Sequence, residues 1–324
     1  MSKILACLFC LTLFLAGGCG SSVQEKSEPL PKLTIGLMPD TDSIPFIIAA
    51  ERGYFAEEGV EVELQPFKSA MDRDAALQSG NLDGAVSDLL AVIFARSGGF
   101  DVRAVSYTDG NYNLVASDEA GIAASADLRG KEIAVSKNTI IEYVTDEILA
   151  ANGMREEDVA KVVIPQIPVR LEMLRSGNLG AAVLPEPMAS VAAASGSHYV
   201  IGSGDLGINP GVIVFSKSAL QDKEKSVRAM YRAYNKAVDY LNHTPQSEYL
   251  DLVVERSGFP PAARDVLVLP SYRYAGSPAE SDVTEAVRWV TSKGMRPHTA
   301  MMIWSPASCR RRSNALSLPD ECAH

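Results

Sequence analysis

The sequence predicts an α/β protein made of two similar lobes joined by a two-crossover hinge. Three observations carry this. Short apolar runs alternate with helical stretches along most of the chain, the pattern of helices covering a largely parallel sheet. The alternation restarts midway. And Leu77 to Val86 (LQSGNLDGAV) matches Leu174 to Val183 (LRSGNLGAAV) at seven of ten positions.

The first lobe opens at Leu33 to Leu37, a buried strand ended by Met38, Pro39 and Asp40. Phe46 to Arg52 reads as a helix closed by Gly53. Val60 to Leu64 alternates with period two, which marks a strand with one exposed face. Asp72 to Ser79 is helical and stops at Gly80. Gly84 to Val86 is a short strand, Leu89 to Arg96 a helix, and Val102 to Tyr107 closes the series.

The second lobe repeats this grammar. Lys131 to Val135 is a strand, and Thr139 to Asn152 a helix with Glu142 spaced for a capping box with Thr139. Val162 to Ile164, Val169 to Arg175 and Ala181 to Val183 read as strand, helix and strand. Beyond them lie a strand at Gly211 to Phe215 and a long helix from Gln221 to Asn242. That helix carries Val227, Met230, Tyr231, Tyr234, Val238 and Leu241 on one face. Shorter helices near 248–256 and 280–293 complete a segment expected to return to the first lobe. Lobe one is thus expected at 32–116 and 211–296 and lobe two at 117–210, with crossovers near Ala116 and Pro210. In each copy of the repeat a buried strand delivers an acid-bearing loop, Asp88 or Glu186. Such strand-end loops are where open α/β sheets hold ligands, although shared turn chemistry alone also explains a repeat of this length.

The ends of the chain differ from the body. Lys3, the apolar run Ile4 to Ala16 and the small residues before Cys19 read as a signal peptide over 1–18, too short for a membrane span. The site Ala16-Gly17-Gly18-Cys19 resembles a bacterial lipobox, with Cys19 the lipidated residue and 19–31 a polar tether. The resulting expectation is a membrane-anchored protein on the extracytoplasmic face. The net charge of −10 repels phosphate backbones, which argues against a nucleic-acid partner. No cysteine lies between Cys19 and Cys309, so the body depends on its core and not on disulfides. Residues 297–324, with Cys309 and Cys322, lack periodicity and are expected to be an unordered, atypical tail.

At Lys32 to Leu37, Ile47 to Val60 (IIAAERGYFAEEGV), Ala85 to Asp88, Leu128 to Lys131, Glu186-Pro187 and the helix around Tyr231, the chain resembles a known family. It is similar to ABC-transporter substrate-binding proteins of the nitrate/sulfonate/taurine and thiamine-pyrimidine type. The resemblance runs from about 32 to 295 and fades after Met295. It implies a type II periplasmic-binding-protein fold and a small-molecule ligand. It also implies permease and ATPase subunits as partners.

The candidate ligand loops are acidic: Asp40, Asp42 and Ser43 after the first strand, then Ser87, Asp88, Asp109, Asn111 and Tyr112. Lobe two adds Asn138, Thr139 and Glu186. Buried carboxylates need cations or hydrogen-bond donors, so these residues favour an amino-bearing, aminopyrimidine-like or zwitterionic ligand, with Tyr112 placed for stacking. The helix start at Asn138-Thr139, beside Lys137, offers amides to an anionic group. Against this, Asp40, Asp42 and Asp88 are equally read as helix caps, and Asp109 as a turn residue. No metal, cofactor or catalytic residue is predicted, because the histidines lack ligand spacing and no phosphate loop or nucleophile elbow occurs. The competing readings are an enzyme on the same fold, of the pyrimidine-forming or menaquinone-pathway kind, and a solute-sensing receptor subunit.

Overall fold

The computed structural model describes residues 29–296. The signal segment, Cys19, most of the tether and the 297–324 tail lie outside the described residues. The strands are β1 (Leu33–Leu37), β2 (Val62–Pro66), β3 (Gly84–Asp88), β4 (Val102–Tyr107) and β5 (Tyr112–Ser117). They continue with β6 (Glu132–Val135), β7 (Ala160–Val163), β8 (Ala181–Pro185), β9 (Ser197–Gly202) and β10 (Gly211–Ser216).

Two five-stranded sheets result, ordered β2-β1-β3-β10-β4 and β7-β6-β8-β5-β9. In the first, β1, β2 and β3 are parallel and β10 runs antiparallel between β3 and β4. In the second, β6, β7 and β8 are parallel and β5 runs antiparallel between β8 and β9. The two sheets share one plan. Each receives its antiparallel strand from the chain that has just crossed over from the other lobe.

This plan moves one expected boundary. Tyr112–Ser117 pairs with β8 along Tyr112↔Pro185 to Ala116↔Ala181, so the first crossover is residues 108–111 and not near Ala116. The strand went unseen in the sequence because Asn113 and Ser117 leave only a short apolar stretch, without a clear period, between them. The edge strand β9, with Tyr199 exposed, was likewise not predicted. The second crossover passes through 203–210.

Helix Glu224–His243 lays its apolar face on lobe one, with Tyr234 edge-on to Phe46 at 5.2 Å. The last helix, Glu280–Ser292, does not belong to lobe one alone. Its Trp289 stacks edge-on against Phe94 of lobe one and Tyr143 of lobe two, and the indole N–H donates to Asp146 Oδ2 at 2.9 Å. A large aromatic with one polar edge suits a seam where both an apolar and an acidic surface must be met.

Candidate functional site

The carboxyl ends of β1, β3, β6 and β8 converge on a small cavity between the lobes, as expected for open α/β sheets. Its free volume is about 30 Å³, room for a water or two. Ser136, Thr139 and Pro165 line both this cavity and an open outer cleft of about 530 Å³.

Lobe one contributes Asp40, Arg73, Ser87 and Asp88. Asp40 caps the short turn after β1: its Oδ1 accepts from the Ser43 N–H at 3.2 Å and the Ser43 hydroxyl at 3.1 Å. Burial, and then the neighbouring charge of Asp42, push the Asp40 carboxyl up to about 8. Asp88 caps helix Leu89–Ser97, accepting from the Ala91 N–H at 2.8 Å, and also meets the Ile140 N–H of lobe two. Burial raises its carboxyl to about 6, while Arg73, whose Nη2 lies 3.9 Å away, opposes the rise. The expected cap role and the cavity position are therefore one and the same for both acids.

Two arginines complete the site, and sequence reasoning missed both. Arg73, on helix Ala70–Gln78, donates to the Val86 carbonyl at 3.2 Å and pairs with Asp74 at 2.7 Å. Arg170, on helix Ile167–Arg175, donates through Nε to the Val183 carbonyl at 3.0 Å and through Nη1 to the Ile164 carbonyl at 2.7 Å. Both are buried, and each is tied to the valine 13 residues ahead. The signal was present: extending the ten-residue repeat four places backward puts an arginine at the start of each copy. The charges differ, however. Arg73 has Asp74 and Asp88, whereas the position equivalent to Asp88 in lobe two is Pro185. Arg170 Nη2 has no hydrogen-bond partner among the described residues, and burial lowers its guanidinium to about 9.

The other predicted residues are distributed differently. Tyr112 and Thr139 line the cavity. Asp42 and Ser43 lie behind it; the Tyr112 hydroxyl donates to Asp42 Oδ2 at 2.6 Å and Gly110 N–H donates to Oδ1. A Cβ at position 110 would overlap that carboxylate, which accounts for the glycine. Asp109 is held by Arg273, and Asn111 accepts from the Ser203 hydroxyl at 2.7 Å; both brace the crossovers and line, with Glu186, a groove apart from the cavity. Glu186, bonded by Asn113 and the Ser190 N–H, faces a separate groove with Thr41 and Pro270. Being a strand-end acid does not make it a cavity acid: Pro185, not Glu186, lines the cavity.

The helix start in lobe two is also not a free anion site. Asn138 N–H donates to Glu142 at 2.7 Å, Ile140 N–H meets Asp88, and Ile141 N–H donates to Thr139 Oγ1 at 3.2 Å. Glu142 thus reaches past the expected capping-box partner to the preceding residue, where Asn138 sits at φ 59°. Asn138 and Lys137 line the outer cleft.

This fold agrees with the comparisons. The chain belongs to the NMT1/THI5-like family, whose model matches residues 40–248. It is 27% identical over 132 residues to the riboflavin-binding protein RibY of Chloroflexus aurantiacus, a match spanning 39% of this chain and 38% of that protein. Its structure resembles the alkanesulfonate-binding protein SsuA of Xanthomonas axonopodis pv. citri bound to MOPS, at 17% identity and TM-score 0.72 over 85% of this chain and 98% of the other. The fold is that of periplasmic binding proteins. The desulfurization enzyme DSZB shares it at 14% identity and TM-score 0.58 over 83% of this chain and 95% of the other, so fold alone does not separate binding from catalysis.

Proposed function

We propose that this protein is the solute-binding component of an ABC importer, anchored outside the cytoplasmic membrane through Cys19. In this reading it closes its two lobes around a small polar, amino-bearing or zwitterionic molecule and delivers it to the permease. The observation that carries the reading is the enclosure of polar groups from both lobes, Asp40, Asp88 and Arg73 against Ser136, Thr139 and Arg170, in one cavity at the hinge. A cavity this small requires the lobes to part before a solute enters, which two crossovers permit. An amino group placed there would share its charge with Asp40 and Asp88 and return the Asp40 carboxyl, raised to about 8, to the ionised state.

A thermal-shift screen of the purified chain tests this, using aminopyrimidines, amines, amino acids, sulfonates, nitrate and flavins. A compound at 100 times its dissociation constant adds about 2.7 kcal/mol. Amino-bearing compounds are expected to raise the melting temperature, with Asp40→Asn and Asp88→Asn abolishing the rise. Shifts with nitrate or plain sulfonates alone would refute the ligand class, and turnover of a bound compound would refute the binding role. Metabolic labelling with palmitate, lost in Cys19→Ala, checks the anchor.

A further inference from the structure

We infer that Arg170 is the ligand's oxyanion seat: the solute carries a carboxylate, sulfonate or phosphate group that Arg170 binds from the lobe-two wall of the cavity. This rests on the binding reading above and deepens it, because it gives the ligand a second charged group and an orientation.

Arg73 Nη2 also lacks a hydrogen-bond partner among the described residues but has the charges of Asp74 and Asp88, so what sets Arg170 apart is the missing counter-charge. Arg170 is fully buried, lines the cavity, and spends Nε and Nη1 on backbone carbonyls. Its Nη2 donates to nothing among the described residues. Carbonyl dipoles satisfy hydrogen bonds but supply no counter-charge, and a buried guanidinium without one is costly. The lobe-two lining adds Ser136 and Thr139 but no carboxylate. Lobe one presents the complementary wall, with Asp40 and Asp88 both in the lining and Arg73 beside Asp88. The Ser87 hydroxyl also lines the cavity and has no hydrogen-bond partner among the described residues. A zwitterion fits one way round: its cationic end toward lobe one, its anionic end on Arg170 Nη2, whose N–H groups are the guanidinium donors not spent on carbonyls. Such a ligand is bound from both walls and so favours the closed arrangement of the lobes.

The test uses inorganic and one-carbon oxyanions, so it does not depend on knowing the solute. Melting temperature is measured with sodium sulfate, phosphate or formate against sodium chloride at matched ionic strength. At least one oxyanion is expected to give a saturable rise of about 3 °C, and the strongest of the three identifies the group class. The rise should vanish in Arg170→Gln and weaken in Arg170→Lys. A rise that is linear in concentration and equal in wild type and Arg170→Gln is general ion exclusion and overturns the proposal, as does no rise over chloride. Should Arg170→Gln fail to fold, arginine-selective ¹⁵N NMR of the wild-type chain reads the same contact. A saturable shift of one buried-arginine Nε signal, retained when Arg73 is changed to Lys, supports it; unmoved signals overturn it. Failure here with amino-only compounds binding in the wider screen would remove the oxyanion seat and leave the binding function standing.

Discussion

The two lobes solve the same packing problem with arginines at equivalent places and then differ in charge. In lobe one, Arg73 ties its helix to the Val86 carbonyl and lies near Asp74 and Asp88. In lobe two, Arg170 ties its helix to the Val183 carbonyl and has Pro185 where the acid would be. A duplicated structural device has been neutralised from within on one side only. The shared contact reports architecture; the missing acid reports what the second wall is free to bind.

The sharpest way to break this comparison is to remove each arginine in turn. Arg73→Met leaves Asp88 buried without its cation and is expected to cost about 3–5 kcal/mol. Arg170→Met removes hydrogen bonds but strands no opposite charge, so its cost should be smaller, about 1–3 kcal/mol. Urea denaturation of both variants measures this, and the reverse order would end the argument from unequal neutralisation.

The acidic wall gives a pH signature that lobe two should lack. The Asp40 carboxyl is raised in the folded protein to about 8, so its contribution favours folding at low pH and is lost as pH climbs from the ordinary carboxylate range to about 8. Asp40→Asn should therefore stabilise the chain increasingly with pH, by at most about 1.4 kcal/mol per pH unit, levelling off above the raised value. Melting curves at several pH values check it, and a gain confined to acid would contradict the sign.

Restoring the missing acid inverts the logic. Pro185→Asp is expected to give Arg170 an internal counter-ion and weaken oxyanion binding about tenfold, or about 1.4 kcal/mol. Calorimetric titration with the strongest anion measures that. A smaller effect is expected at the cap of helix Ile140–Ala151, where Thr139→Ala removes the acceptor for Ile141 N–H at about 1 kcal/mol in thermal unfolding.

The periodicity of Val60 to Leu64, the stop at Gly80 and the repeated SGNL block were readable from residues alone, because local patterning and turn chemistry are properties of short segments. So was the candidacy of Asp40 and Asp88, whose positions just after strands mark both caps and cleft residues. Even the arginine pair was present as an eighth identity four residues before the repeated block. What the sequence could not say is where each polar side chain faces. Asp109 and Glu186 look as ligand-like as Asp88 in one dimension, yet both line a groove apart from the cavity, and Asp109 is held by Arg273. Tyr112–Ser117 joins lobe two only because its ladder partner is β8, which pairs Tyr112 with Pro185 and Ala116 with Ala181 across long stretches of chain. The sequence by itself determined the α/β alternation, the duplication and the acid-rich loops. Tertiary structure alone decided which charges share a cavity and which go unpaired, since burial and counter-charge depend on segments far apart in the chain that meet only in the folded molecule.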